Sequence, residues 1–133
     1  MASILCVDDD PDMVALKKQI LESAGHRVTA CLSTEQAVHA LTDQTFDAVV
    51  TDWRLGDGLG REVVQTAKAH ASVPVIVVSG RDLQTNQKKV AALGGKAFLQ
   101  KPVSNAHLLA VIRSALGERS KTEGSVVYNL GGQ

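Results

Sequence analysis

The chain has 133 residues, enough for one domain with a full core. Hydrophobic residues make up 44% and aromatics only 3%, so that core must be built from Val, Leu, Ile and Ala. The 14 basic residues balance 14 acidic ones, which argues against a strong electrostatic binder of nucleic acid or membrane. No basic leader precedes an apolar stretch, and no apolar run approaches the roughly 18 residues of a membrane span. A cytoplasmic domain is expected. Cys6 and Cys31 both fall in predicted strands, which suits buried reduced thiols better than a disulfide.

Taken in order, Ser3 to Val7 reads as a strand that stops on Asp8-Asp9-Asp10-Pro11. Pro11 suits the first turn of a helix and Asp10 is placed to cap it. Met13, Leu16, Ile20 and Ala24 recur at helical spacing and are expected to form its buried face, with Gly25 as the stop. A short strand, Arg27 to Cys31, leads to a helix from Ser33, where Ser33 and Gln36 have capping-box spacing and Ala37, Val38 and Leu41 face inward.

The apolar run Ala48 to Thr51 is a third strand. It ends on a single carboxylate, Asp52, before a loop carrying Gly56, Gly58 and Gly60. The helix that follows has Leu59, Val63 and Ala67 on one face. Val75 to Val78 is apolar throughout, as in a strand covered on both sides, and terminates on Ser79-Gly80. Residues 82–93 read as a polar helix with a thin apolar stripe. Ala97 to Gln100 is a fifth strand ending on Lys101-Pro102, and a last helix spans about 104–117 with Leu108, Ile112 and Ala115 buried. Residues 119–133 are polar and Gly-containing apart from Val126-Val127-Tyr128, which suits a flexible tail or linker stub after a domain at 1–118.

Five strands alternating with five helices make an α/β fold: a parallel sheet covered on both faces. Right-handed crossovers put every strand's C-terminal end on one edge. Asp8-Asp9, Asp52, Ser79 and Lys101 therefore converge where open α/β sheets bind ligands. Two carboxylates ~4 Å apart repel by roughly 4 kcal/mol at an effective dielectric near 20, so three need a cation or a proton among them. Oxygen-only donors with an open position favour Mg²⁺, with Mn²⁺ the alternative, over zinc.

With these pieces in place, residues 3 to about 117 resemble the receiver domain of a two-component response regulator. The matching stretches are VDDD at 7–10, Asp52 followed by DGLGREV, VVSG at 77–80 and FLQKPV at 98–103. Each is weak alone; together, in order and at strand ends, they are specific. The resemblance implies a flavodoxin-like, doubly wound five-stranded sheet in the order 2-1-3-4-5. It makes Asp52 the acceptor of a phosphoryl group from a phosphohistidine on a sensor histidine kinase or histidine phosphotransfer protein. Asp8, Asp9, Asp52 and the backbone carbonyl of Arg54 would hold Mg²⁺. Lys101 and the Ser79 hydroxyl would hold the transferred oxygens, and Gly80 would leave them room. Lys101-Pro102 matches a position where a cis peptide is usual. Ser79 and Phe98 would act as the switch, moving the surface of helix 82–93, strand 97–100 and the last helix toward a downstream protein or fused output domain. The implied module is a self-phosphorylating signalling domain rather than an enzyme, a monomer or a phosphorylation-dependent dimer, with no direct nucleic-acid or membrane partner.

Some features depart from that pattern or point elsewhere. Gly56 stands where many receivers have Pro, and Arg54 and Arg81 would flank the phosphoryl group and slow its hydrolysis. Asp8-x-Asp10-x-Asp12 is not a calcium loop, because Met13 and Gln19 replace the required Gly and Glu. Gly56-x-Gly58-x-Gly60 lacks dinucleotide-fingerprint spacing, and His26, His39, His70 and His107 lack ligand spacing. Asp8 and Asp10 after an apolar strand also resemble the nucleophile motif of haloacid-dehalogenase-like phosphatases, which leaves a phosphatase using Asp8 as the alternative.

Overall fold

The structure is a computed structural model that describes residues 2–55, 58–71, 73–79, 97–100, 103–117 and 126–128. Its main sheet is built from β1 (Ser3–Val7), β2 (Arg27–Cys31), β3 (Ala48–Asp52), β6 (Val75–Ser79), β7 (Ala97–Gln100) and β8 (Val126–Tyr128). Their spatial order is β2-β1-β3-β6-β7-β8, and every pairing is parallel. The first five of these strands have the expected 2-1-3-4-5 order. β8 adds a sixth at the edge, so the Val126-Val127-Tyr128 interruption of the polar tail is a strand.

Period-two alternation divides the core between the two faces of this sheet. Leu5, Val7, Val49, Val75, Val77 and Phe98 pack on one face with Ala37 and Leu41 of α2 (Thr34–Asp43) and Val63, Val64 and Ala67 of α3 (Arg61–Ala71). Ile4, Cys6, Val50, Ile76, Val78 and Leu99 pack on the other with α1 (Pro11–Ser23) and with Leu108, Val111, Ile112 and Ala115 of α4 (Asn105–Gly117). The unbroken apolar runs of β1, β3 and β6 follow from this two-sided cover. Cys6 and Cys31 are buried free thiols.

The helix starts form as their sequences predict. The Asp10 carboxylate accepts from the Asp12 and Met13 backbone N–H groups at 3.0 and 3.4 Å, with Pro11 in the first turn. Ser33 Oγ accepts from the Gln36 N–H at 3.1 Å, while Gln36 Oε1 reaches back to the Leu32 N–H at 2.7 Å. That return bond lands one residue earlier than in a standard capping box. Gly25 closes α1 with φ at +95°, the left-handed conformation that favours glycine.

Two local expectations are corrected. The buried face of α1 is Val14, Lys17 and Leu21, whereas Met13 and Leu16 are 37% and 46% exposed. The glycine-rich stretch after Asp52 is an antiparallel hairpin of β4 (Arg54–Leu55) and β5 (Gly58–Leu59), and α3 begins only at Arg61, so Leu59 belongs to a strand. Residues 82–93, read as a helix from the sequence, lie outside the described residues.

Candidate functional site

Parallel pairing fixes which strand-end residues meet. The β1–β3 register sets Val7 opposite Thr51, which brings Asp8 level with Asp52 at the same sheet edge. The β3–β6 register sets Asp52 opposite Val78, so Ser79 ends β6 one residue further along that edge. The Asp8 N–H donates to the Cys31 carbonyl at 3.1 Å and the Trp53 N–H to the Val78 carbonyl at 3.0 Å, which carries the ladder one step past both strands. A cavity lined by Leu41, Phe46, Ala67 and Val73 opens at the far, N-terminal end of β3, and none of the strand-end carboxylates lines it.

At the C-terminal edge, carboxylate oxygens of Asp8, Asp9 and Asp52 all lie within 4.8 Å of one another. Asp8 and Asp52 are buried and Asp9 is exposed, so the cluster is anchored in the core and open on one side. Clustering of this kind is unfavourable without positive charge. The donors are hard oxygens only, with one side accessible, which fits a divalent ion such as Mg²⁺ and not a soft metal.

Asp8 is the most tightly held of the three. Its Oδ1 accepts the Asp10 backbone N–H at 3.0 Å, and its Oδ2 accepts the Lys17 ammonium, also at 3.0 Å. Burial alone would push its pKa up. The Asp10 N–H, the Lys17 charge and hydrogen bond, and a hydrogen bond with the Asp52 side chain outweigh that and hold it below the usual carboxylate value.

Lys17 was not singled out in the sequence, yet a signal for it exists. Val14, Lys17 and Leu21 are spaced three and four apart, so a lysine interrupts an apolar stripe. Gly60 was noted only as a loop glycine. Its N–H donates to the Trp53 carbonyl at 2.6 Å, and a β-carbon there would run into the Asp52 backbone carbonyl. The hairpin thus folds back directly onto the end of β3. Arg54 begins β4 two residues past Asp52. Phe98 is buried at 1% exposure in the cluster with Val49 and Val77. Trp53 is 3% exposed and packs in the same cluster. Gly80, Arg81, Lys101 and Pro102 lie outside the described residues. Burial pushes the Cys6 thiol up to about 12, which favours its protonated form.

The phosphatase alternative finds no support. The Asp8 carboxylate is held in place by the Asp10 N–H and the Lys17 ammonium, and the carboxylate that ends the central strand is Asp52. The comparisons with known proteins agree. Residues 4–113 match the family described as response regulator receiver domain. The regulatory protein VirG of Rhizobium rhizogenes is 38% identical over 120 residues, covering 90% of this chain and 50% of VirG. The transcriptional regulatory protein CpxR of Escherichia coli (strain K12) is 30% identical over 116 residues, covering 87% of this chain and 50% of CpxR. The chain therefore spans about half the length of these curated relatives. A CheY-like receiver domain crystal structure from Methanospirillum hungatei JF-1 superposes with a TM-score of 0.86 at 28% identity, covering 90% of this chain and 97% of that one. Sheet order, a three-carboxylate edge and a match over residues 4–113 lead to one conclusion: the chain belongs to the response regulator receiver domains of two-component signalling.

Proposed function

We propose that Asp52 accepts a phosphoryl group from a phosphohistidine on a sensor histidine kinase or histidine phosphotransfer protein, in a Mg²⁺-dependent reaction. The observation that carries this reading is the buried Asp52 carboxylate, which ends a central strand and lies within 4.8 Å of Asp8 and Asp9. Asp9 and Asp52 would hold Mg²⁺ with the Arg54 backbone carbonyl, and Asp8 would complete the set directly or through water. Bound there, Mg²⁺ supplies the positive charge that lets an anionic phosphoryl group approach a carboxylate. An Asp52 oxygen attacks phosphorus in line, the phosphorus–nitrogen bond breaks, and its electron pair returns to the departing imidazole.

Ser79, which ends β6, would donate its hydroxyl to the transferred oxygens, and Lys101 would pair with them. Gly80 would leave space beside them, and Arg54 and Arg81 would restrict the hydrolytic water. Phosphorylation adds roughly −1.5 to −2 charges at this edge. Ser79 and Phe98 would report it to the surface formed by 82–93, β7 and α4. Phe98 is packed inward, so its state is coupled to the core through Val77 and Val49. Residues 1–118 act as the receiver and 119–133 as a connecting tail, with β8 pinned to the sheet edge. VirG and CpxR are regulatory proteins about twice the matched length, which supports output through a fused domain or a downstream protein. Among the described residues no helix is long and apolar enough to cross a membrane.

The test is treatment with Mg²⁺ and acetyl phosphate, read by intact mass. The wild-type chain should gain one phosphoryl group with Mg²⁺ present and none when chelator is added before the acetyl phosphate. Asp52→Asn should gain none, whereas Asp8→Asn should retain some capture. A full adduct on Asp52→Asn would overturn the assignment.

A further inference from the structure

The metal cluster of a receiver has to solve a charge problem, and this chain carries an ammonium group within it. Lys17 projects from the sheet-facing stripe of α1, between Val14 and Leu21, and its side chain is 9% exposed. Its Nζ lies 3.0 Å from Asp8 Oδ2, and Asp8 is itself held by the Asp10 N–H. Burying an ammonium is costly unless it is paired, and a well-packed apolar side chain of similar size is often as stable or more so. The stripe on either side of Lys17 is apolar and packs in the cluster with Ile4, Cys6 and Val50. Stability of the stripe therefore gives no reason for a charge there; the carboxylates do.

Resting on the receiver reading above, we propose that Lys17 is a built-in counter-cation of the phosphorylation site. It holds Asp8 and thereby lowers the pocket's affinity for the divalent ion, while offsetting the negative charge that the loaded carboxylate cluster retains. Three ionised carboxylates carry −3. A divalent ion leaves −1 on these three, which the Lys17 ammonium offsets. An anionic phosphoryl donor then meets one negative charge fewer than the carboxylates and the ion alone would present. The same ammonium repels the metal and occupies the Asp8 oxygen that would otherwise be free to ligate. Even with water-like screening, repulsion between a monovalent and a divalent cation held by one carboxylate is worth roughly tenfold in affinity. Lys17 is thus a positioning residue: it acts through Asp8 and the metal and forms no bond to phosphorus.

The experiment is a Mg²⁺ titration of the purified chain, followed by calorimetry and by the fluorescence of Trp53, the sole tryptophan, which adjoins Asp52. Lys17→Met removes the charge at similar volume, and Lys17→Arg keeps it. Lys17→Met should bind Mg²⁺ about tenfold more tightly than wild type and Lys17→Arg about as wild type. Equal or weaker binding by a folded Lys17→Met overturns the inference and leaves the receiver reading standing. Should Met at this position prevent folding, Lys17→Gln decides the matter on the same criterion. If wild type and every Lys17 variant fail to bind Mg²⁺ at millimolar concentration, the metal-site reading falls and the inference with it. Phosphoryl capture from acetyl phosphate, measured at saturating Mg²⁺ for each protein, should be slower in Lys17→Met, because its loaded pocket is one charge more negative.

Discussion

Asp52 is positioned from behind by backbone as much as by charge. Its carbonyl lies where a β-carbon on Gly60 would sit, and the Gly60 N–H closes onto the Trp53 carbonyl at 2.6 Å. The obstructing atoms are main chain, so relief would require moving the end of β3 or the hairpin itself. Gly60→Ala should therefore cost about 1–3 kcal/mol of stability, the usual range for overpacking, and should also slow phosphoryl capture. Chemical denaturation together with acetyl phosphate labelling checks both. A stability loss below ~0.5 kcal/mol would show that the hairpin yields freely and does not brace the acceptor. Lys17 shows another residue-scale effect. A long charged side chain buried on a helix stripe is tolerated here because it ends 3.0 Å from a buried carboxylate.

At the scale of elements, α1 shows how one buried charge misleads a reading by hydrophobic pattern. Met13, Leu16, Ile20 and Ala24 form the more continuous apolar row, yet Val14, Lys17 and Leu21 face the sheet. Apolar side chains are common on surfaces, whereas a lysine inside requires a partner, and that partner is distant in sequence terms only by nine positions. The orientation has a direct consequence. Leu21 is fully buried and Leu16 is 46% exposed, so Leu21→Ala should cost about 2–5 kcal/mol and Leu16→Ala less than about 0.5. Urea unfolding of the two variants distinguishes the faces, and equal losses would contradict the observed rotation of the helix. The other helices were legible because their stripes carry no charge: Ala37 with Leu41, Val63 with Ala67, and Leu108 with Ile112 and Ala115 are all inside. The hairpin at 54–59 was not, because a two-residue pairing leaves no periodicity to detect. β8 escaped for a related reason: three residues in a polar tail carry too little pattern to mark a strand.

For the molecule as a whole, the sheet turns separated sequence motifs into one site. Strand order and crossover handedness alone bring the ends of β1, β3 and β6 together, so the acidic edge could be anticipated from Asp8, Asp9 and Asp52 before any coordinates. What pattern could not supply was the electrostatic balance across that edge, because it depends on a side chain from α1 reaching over the end of β1. This balance should be visible in global stability. Metal-free, the cluster keeps mutual repulsion that the rest of the fold must offset. Mg²⁺ at ten times its dissociation constant should add ~1.4 kcal/mol, a rise in Tm of roughly 3–6 °C for a chain of this length. Asp52→Asn should behave in the opposite sense on both counts. Removing one carboxylate relieves the repulsion, so its metal-free form should melt above the metal-free wild type, and the loss of a ligand should leave it with little response to Mg²⁺. Calorimetric melts of both proteins, with Mg²⁺ and with chelator, make the comparison. If the wild type shows no metal-dependent rise, and Asp52→Asn melts at or below it without metal, then the three carboxylates are not under electrostatic tension and the edge is an ordinary solvated rim.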